Sequence, residues 1–151
     1  MLGQRVTDIL ALLQALRRHP RTAGKPVRIA ASGKLTVPAL CAAALDPTVE
    51  ALYLSGGLVS FRNIVDTETF TYPLANFVPK ILNHTDLPEL AASVAPRAIR
   101  LAGATDARGK AMDVTAVRTI YGAALKAGHL TATADPGWSV GKLTDSSAHI
   151  K

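Results

Sequence analysis

The chain has 151 residues and a formal net charge of +6, with 48% hydrophobic residues but only 5% aromatics; this suits one domain with an aliphatic core and excludes a disordered chain. Lys and Arg are scattered without aromatic interleaving, so the basic balance predicts a solvated surface and no nucleic-acid partner. A lone cysteine, Cys41, excludes an intrachain disulfide.

The first residues lack the charged start, apolar stretch and small-residue cleavage site of a secretion signal, so a soluble chain is expected from the outset. From Val6 to Leu16, apolar residues at three- and four-residue steps predict a surface helix. Arg17, Arg18 and His19 complete its last turn before Pro20. A Gly24–Pro26 turn leads into Val27–Ala31, the first predicted strand, which Ser32-Gly33-Lys34 breaks. Leu35–Leu45 is rich in Ala and Leu and predicts a helix that tolerates Pro38 in its opening turn and holds Cys41 as a buried apolar thiol. Asp46-Pro47 ends it, and Val49–Leu54 is a second short strand stopped by Ser55-Gly56-Gly57.

Residues 58–97 form a longer excursion around a helical stretch at 62–95, with loop over Thr67–Pro73 and short helices expected at Leu74–Leu82 and Asp86–Val94. Ala98–Ala102 is the third strand, and Gly103–Gly109 is the polar loop after it. Asp113 caps a helix with an inner stripe of Val117, Ile120, Tyr121, Ala124 and Leu125, closed by Gly128. Leu130–Ala134 is the fourth strand, and residues 142–151 read as a tail that need not be ordered.

This alternation predicts an α/β fold: a parallel four-stranded sheet with right-handed crossovers and helices on both faces, in one domain spanning 1–151. No apolar run approaches the roughly 20 residues needed to cross a bilayer, so no membrane partner is expected. In such sheets ligands bind beyond the carboxyl ends of the strands. The informative residues are therefore Ser32-Gly33-Lys34, Ser55-Gly56, Thr105-Asp106 and Gly137-Trp138.

The segments Ala42–Pro47, Leu54–Leu58, Ile81–Leu90 and Ala95-Pro96-Arg97 together resemble acetyl-xylan-esterase and dienelactone-hydrolase relatives of the α/β-hydrolase superfamily, over about residues 4–140. The resemblance is to the C-terminal half of that fold. It implies a small-molecule ester as substrate and no cofactor. It also implies a nucleophile at a tight strand-to-helix elbow, an acid after the third strand and a histidine after the fourth.

The elbow position falls on Gly33, which has no hydroxyl or thiol, so Ser32, one residue away, is the candidate nucleophile, weighed against a plain turn role. The backbone amides of Gly33 and Lys34 are the candidate oxyanion or anion-binding groups. Asp106 matches the acid position, against the competing role of a loop-closing aspartate. Trp138 stands where the histidine is expected, and an indole N–H is a donor that cannot act as a base.

Among the four histidines, His19 and His129 precede strands and fall at the opposite end of the sheet, and His84 precedes a helix where capping is the commoner role. His149 in the tail completes the candidate triad if the tail folds back. No pair of residues has metal-ligand spacing on one predicted helix, so no metal is expected.

The resemblance leaves the first strand without the neighbour that the whole fold gives it. A homo-oligomer through that exposed strand, or through uncovered helices, is therefore expected. Two functions remain open: a promiscuous or weak ester hydrolase, and a non-catalytic hydrolase-derived module that works through self-association or a partner.

Overall fold

The computed structural model describes residues 1–144. Helix α1 (Leu2–Arg18) leads to β1 (Val27–Ser32), a 3-10 turn (Gly33–Leu35) and α2 (Thr36–Leu45), then to β2 (Val49–Ser55). The excursion holds α3 (Phe61–Val65), two 3-10 turns (Leu74–Asn76 and Ile81–Asn83) and α4 (Leu87–Ser93). After β3 (Ala98–Ala102) come α5 (Val114–Ile120), α6 (Gly122–Lys126), β4 (Leu130–Thr133) and α7 (Val140–Thr144).

The sheet is parallel throughout, in the order β1-β2-β3-β4. Because each right-handed crossover joins adjacent strands in the same direction, the crossover helices must fall on one face. Accordingly α1 packs on α2, α2 on α4, and α4 on α6. The side chains beneath them form aliphatic rows read across the strands: Ile29, Leu52, Ile99 and Leu130, then Ala31, Leu54, Leu101 and Ala132. All but Ile29, at the β1 edge, are buried.

Helices do lie on both faces, but unequally. The opposite face carries Arg28, Ala51 and Ala98, then Ala30, Tyr53, Arg100 and Thr131, then Ser32, Ser55, Ala102 and Thr133. Among the described residues, the chain after β4 crosses it. Pro136 packs on Gly103, Ser55 Oγ donates to the Pro136 carbonyl (2.6 Å), and Tyr53 donates to the Gly137 carbonyl (2.9 Å). Trp138 stacks on Tyr53 with 6.5 Å between ring centroids. Helix α7 then lies over the face, its Lys142 and Leu143 carbonyls accepting from Arg100 (3.0 Å) and Arg28 (3.4 Å). Lys142 itself ties the strap together by bonding Asp135 (2.7 Å) and the Gly137 carbonyl (2.9 Å).

Two local expectations are corrected. The helix expected over Leu74–Leu82 is two 3-10 turns, separated by extended Phe77 and left-handed Lys80 (φ 62°); Pro79 in the middle removes a helix donor and pushes Val78 out of the α region. The helix after Asp113 is broken at Tyr121 (φ −90°, ψ 19°), where the buried phenol donates to the Val59 carbonyl (2.9 Å) just before Gly122. Helix α3, capped by Ser60 accepting from the Asn63 amide, opens the helical excursion one residue before 62.

Candidate functional site

The end of β1 forms a sharp elbow. Ser32 is still extended (φ −126°, ψ 145°), and Gly33 turns the chain at φ +55°, a left-handed conformation that favours glycine. The Gly33 carbonyl accepts from both the amide and the hydroxyl of Thr36, starting the 3-10 turn that runs into α2. The first bond of this turn leaves from Thr36, so the Gly33 and Lys34 amides have no partner inside it. Gly57, after β2, lies against the same helix start: a Cβ there would collide with Thr36 Oγ1. The tip of β2 and the start of α2 therefore touch backbone to side chain.

Asn76 clamps the excursion onto this elbow. It is fully buried, its Nδ2 donating to the Lys34 carbonyl (2.6 Å) and to Tyr72 Oη (2.9 Å) while its Oδ1 accepts from Arg5 (2.7 Å). Burial pushes the Tyr72 phenol pKa up, so the ring stays neutral in this contact. Phe77 packs against Tyr72 and Phe70, giving the clamp an aromatic body.

Asp106 lies in the loop after β3. That loop is held from both sides: Thr105 donates to the Gly57 carbonyl (2.8 Å), and Ala107 donates to Asn63 Oδ1 (2.7 Å). The Asp106 carboxylate accepts from the Arg108 (2.9 Å) and Lys110 (2.8 Å) amides of its own loop, and its amide donates to the Lys110 carbonyl. Ser32, Ser55 and Ala102 are cross-strand neighbours. Two strand spacings, about 10 Å, therefore separate Ser32 from the end of β3.

No histidine nitrogen among the described residues bonds Ser32 or Asp106. His129 lies at the start of β4, buried, with Nε2 on the Ala91 carbonyl (2.9 Å) and Nδ1 without a partner. His19 follows α1 and accepts from the Arg21 amide. His84 borders a polar hollow of about 520 Å³ between α3 and α4, beside Asp66 and Glu89. Next to it, Asp86 accepts from the Phe61, Arg62 and Leu87 amides, capping both α3 and α4. His149 lies outside the described residues. Where a histidine is expected after β4, Trp138 is turned onto Tyr53 and half exposed. Among the described residues, no group of three His, Cys, Asp or Glu is placed to hold a metal ion, and no helix is long and apolar enough to cross a membrane.

Residues outside the candidate triad line a second opening. A groove of about 530 Å³ runs along the N-terminal half of the open sheet face, with Ala30, Ala51 and Ala98 on its floor and Arg28, Arg100 and Lys142 among its walls. Its signal in the sequence is Val-Arg-Ile in β1 and Ile-Arg-Leu in β3, each of which sets one arginine between two aliphatic residues and so on the face opposite to theirs. Glu50 pairs with Arg28 (2.8 Å) and keeps this face from being purely cationic.

The sequence matches no family model and no curated protein. In three dimensions the chain is similar to a protein of Bacteroides fragilis NCTC 9343, provisionally named acetyl xylan esterase, with a TM-score of 0.59 at 19% identity. The match covers 87% of this chain but 35% of that one, so the chain spans about a third of its neighbour's length. At that identity the likeness speaks for the fold alone, a parallel α/β sheet similar to part of that protein's.

Proposed function

We propose that the chain is a hydrolase-like module that works by association and carries no triad chemistry among its described residues. One observation carries the reading: the left-handed apex of the elbow, where this architecture presents its nucleophile, is Gly33, with no side chain to react. Two others support it. The Asp106 carboxylate is engaged by its own loop amides, and Trp138 is stacked on Tyr53. Neither arrangement orients a base.

A second reading, ester hydrolysis by Ser32 with Asp106, has its own support. Ser32 is exposed at the elbow beside the Gly33 and Lys34 amides, and the structural neighbour bears an esterase name. Under this reading the two amides receive the oxyanion of a small ester, and His149 supplies the base.

Turnover of p-nitrophenyl acetate by the purified chain, beside Ser32→Ala and Asp106→Ala, separates the two. The module reading expects all three to match the uncatalysed rate. Wild-type turnover that both substitutions abolish refutes it in favour of the hydrolase.

A further inference from the structure

The sheet ends in two different ways. At β4 the edge residue Leu130 is 1% exposed, because α5 and α6 pack over that strand. At β1 the matching residue of the same cross-strand row, Ile29, is half-buried, although Leu52 and Ile99 beside it are buried. Val27 is half-buried as well. The outer side of β1 thus combines aliphatic side chains lacking full cover with backbone N–H and C=O groups that have no strand partner among the described residues. Its one charge does not guard the edge, since Arg28 is drawn back onto Glu50 of β2 and the Leu143 carbonyl.

We propose that this edge pairs with the β1 edge of a second copy, antiparallel across a two-fold axis normal to the sheet, joining two four-stranded sheets into one. Such an axis keeps each face on its own side, so a residue meets one of like parity. With Ala30 on the axis, Arg28 lies opposite the partner's Ser32, and Ile29 opposite the partner's Ala31. No like charges meet, and the half-buried Ile29 gains an apolar neighbour. The competing arrangement packs two open faces together. Charge opposes it: among the described residues Arg28, Arg97, Arg100 and Lys142 line the groove with Glu50, and even with Lys142 paired to Asp135 the positive charges outnumber the negative, so two copies would bring like charge together.

This assignment names the partner for the association reading above. Sedimentation velocity of the full chain at micromolar concentration should give twice the 15.8 kDa monomer mass. Ala30 is exposed, so Ala30→Lys and Ala30→Glu test the axis without touching the core. Each alone should sediment as a monomer with unchanged circular dichroism, and an equal mixture of the two should recover the dimer. A monomeric wild type, or a dimer that survives both substitutions, overturns the edge. A dimeric wild type that turns over p-nitrophenyl acetate supports the edge and overturns only the non-catalytic reading; an inert monomer does the reverse.

Discussion

Asn76 offers the sharpest test of how the elbow is held. Its side chain makes three hydrogen bonds while fully buried, joining Arg5 of α1, Tyr72 of the excursion and the Lys34 carbonyl at the elbow. Each such bond contributes about 1 kcal/mol net, and truncation also leaves the Lys34 carbonyl without its donor. Asn76→Ala should therefore cost about 2–4 kcal/mol. With a urea m-value of about 2 kcal/mol/M, the unfolding midpoint should fall by about 1–2 M. Tyr72→Phe, which removes one acceptor and keeps the ring, should cost only about 1 kcal/mol. The informative variant is Asn76→Asp. It preserves shape and still accepts from Arg5, but it turns an acceptor toward the Lys34 carbonyl, so it should be closer to Ala than to wild type. Amide exchange around Thr71 and Phe77 should accelerate in both Asn76 variants. A midpoint shift below about 0.5 M for Asn76→Ala, with m unchanged, would refute the clamp.

Gly33→Ala should cost about 1–2 kcal/mol for the left-handed backbone alone, since its Cβ would meet nothing within 4 Å; thermal melts should show Gly33→Asn milder and Gly57→Ala, which collides with Thr36, worse. Asp46 tests acid sensitivity: burial opposes its charge, yet hydrogen bonds from Arg17 and Thr48 win and hold its carboxyl below the usual carboxylate range. A depressed folded value means stability that is present above the unfolded value of about 4 and is lost as pH falls through the folded one. Asp46→Asn should thus cost about 1 kcal/mol at neutral pH, a modest figure because Arg17 is more than a third exposed, and the gap in urea midpoint from wild type should narrow steadily as pH falls below about 4. The strap over the open face can be followed by its single tryptophan: Tyr53→Ala removes the ring under Trp138 and should red-shift its emission and raise acrylamide quenching, whereas Tyr53→Phe should change little.

The strands and their order of appearance were legible because each is a short aliphatic run closed by Gly, Pro or Ser, and the helices between them leave parallel pairing as the simplest connection. Within the excursion the signal failed for a local reason. Leu74–Leu82 has helix-like apolar spacing, but Pro79 forbids the continuous ladder, and the segment is held by Asn76, a tertiary contact spanning 42 residues to Lys34 that no periodicity reveals. The break at Tyr121 has the same origin: its phenol is pulled to Val59, 62 residues away.

The two faces of the sheet show why the site was harder to read than the fold. Aliphatic content says that a strand is buried, but parity says on which side, and here the parities differ sharply. One set of rows is Ile, Leu and Ala under helices, whereas the other mixes small residues with Arg28, Tyr53, Arg100 and Thr131. A parallel strand covered equally on both faces has no reason to place an arginine between two aliphatic residues. The arginines of β1 and β3 therefore mark a face that is met by polar backbone, the α7 carbonyls, instead of by a second aliphatic layer. That asymmetry also bears on the proposed association: it leaves a groove rich in Arg and Lys along the N-terminal half of the open face and an incompletely covered edge at β1, two surfaces that can recognise a partner without a side chain at Gly33.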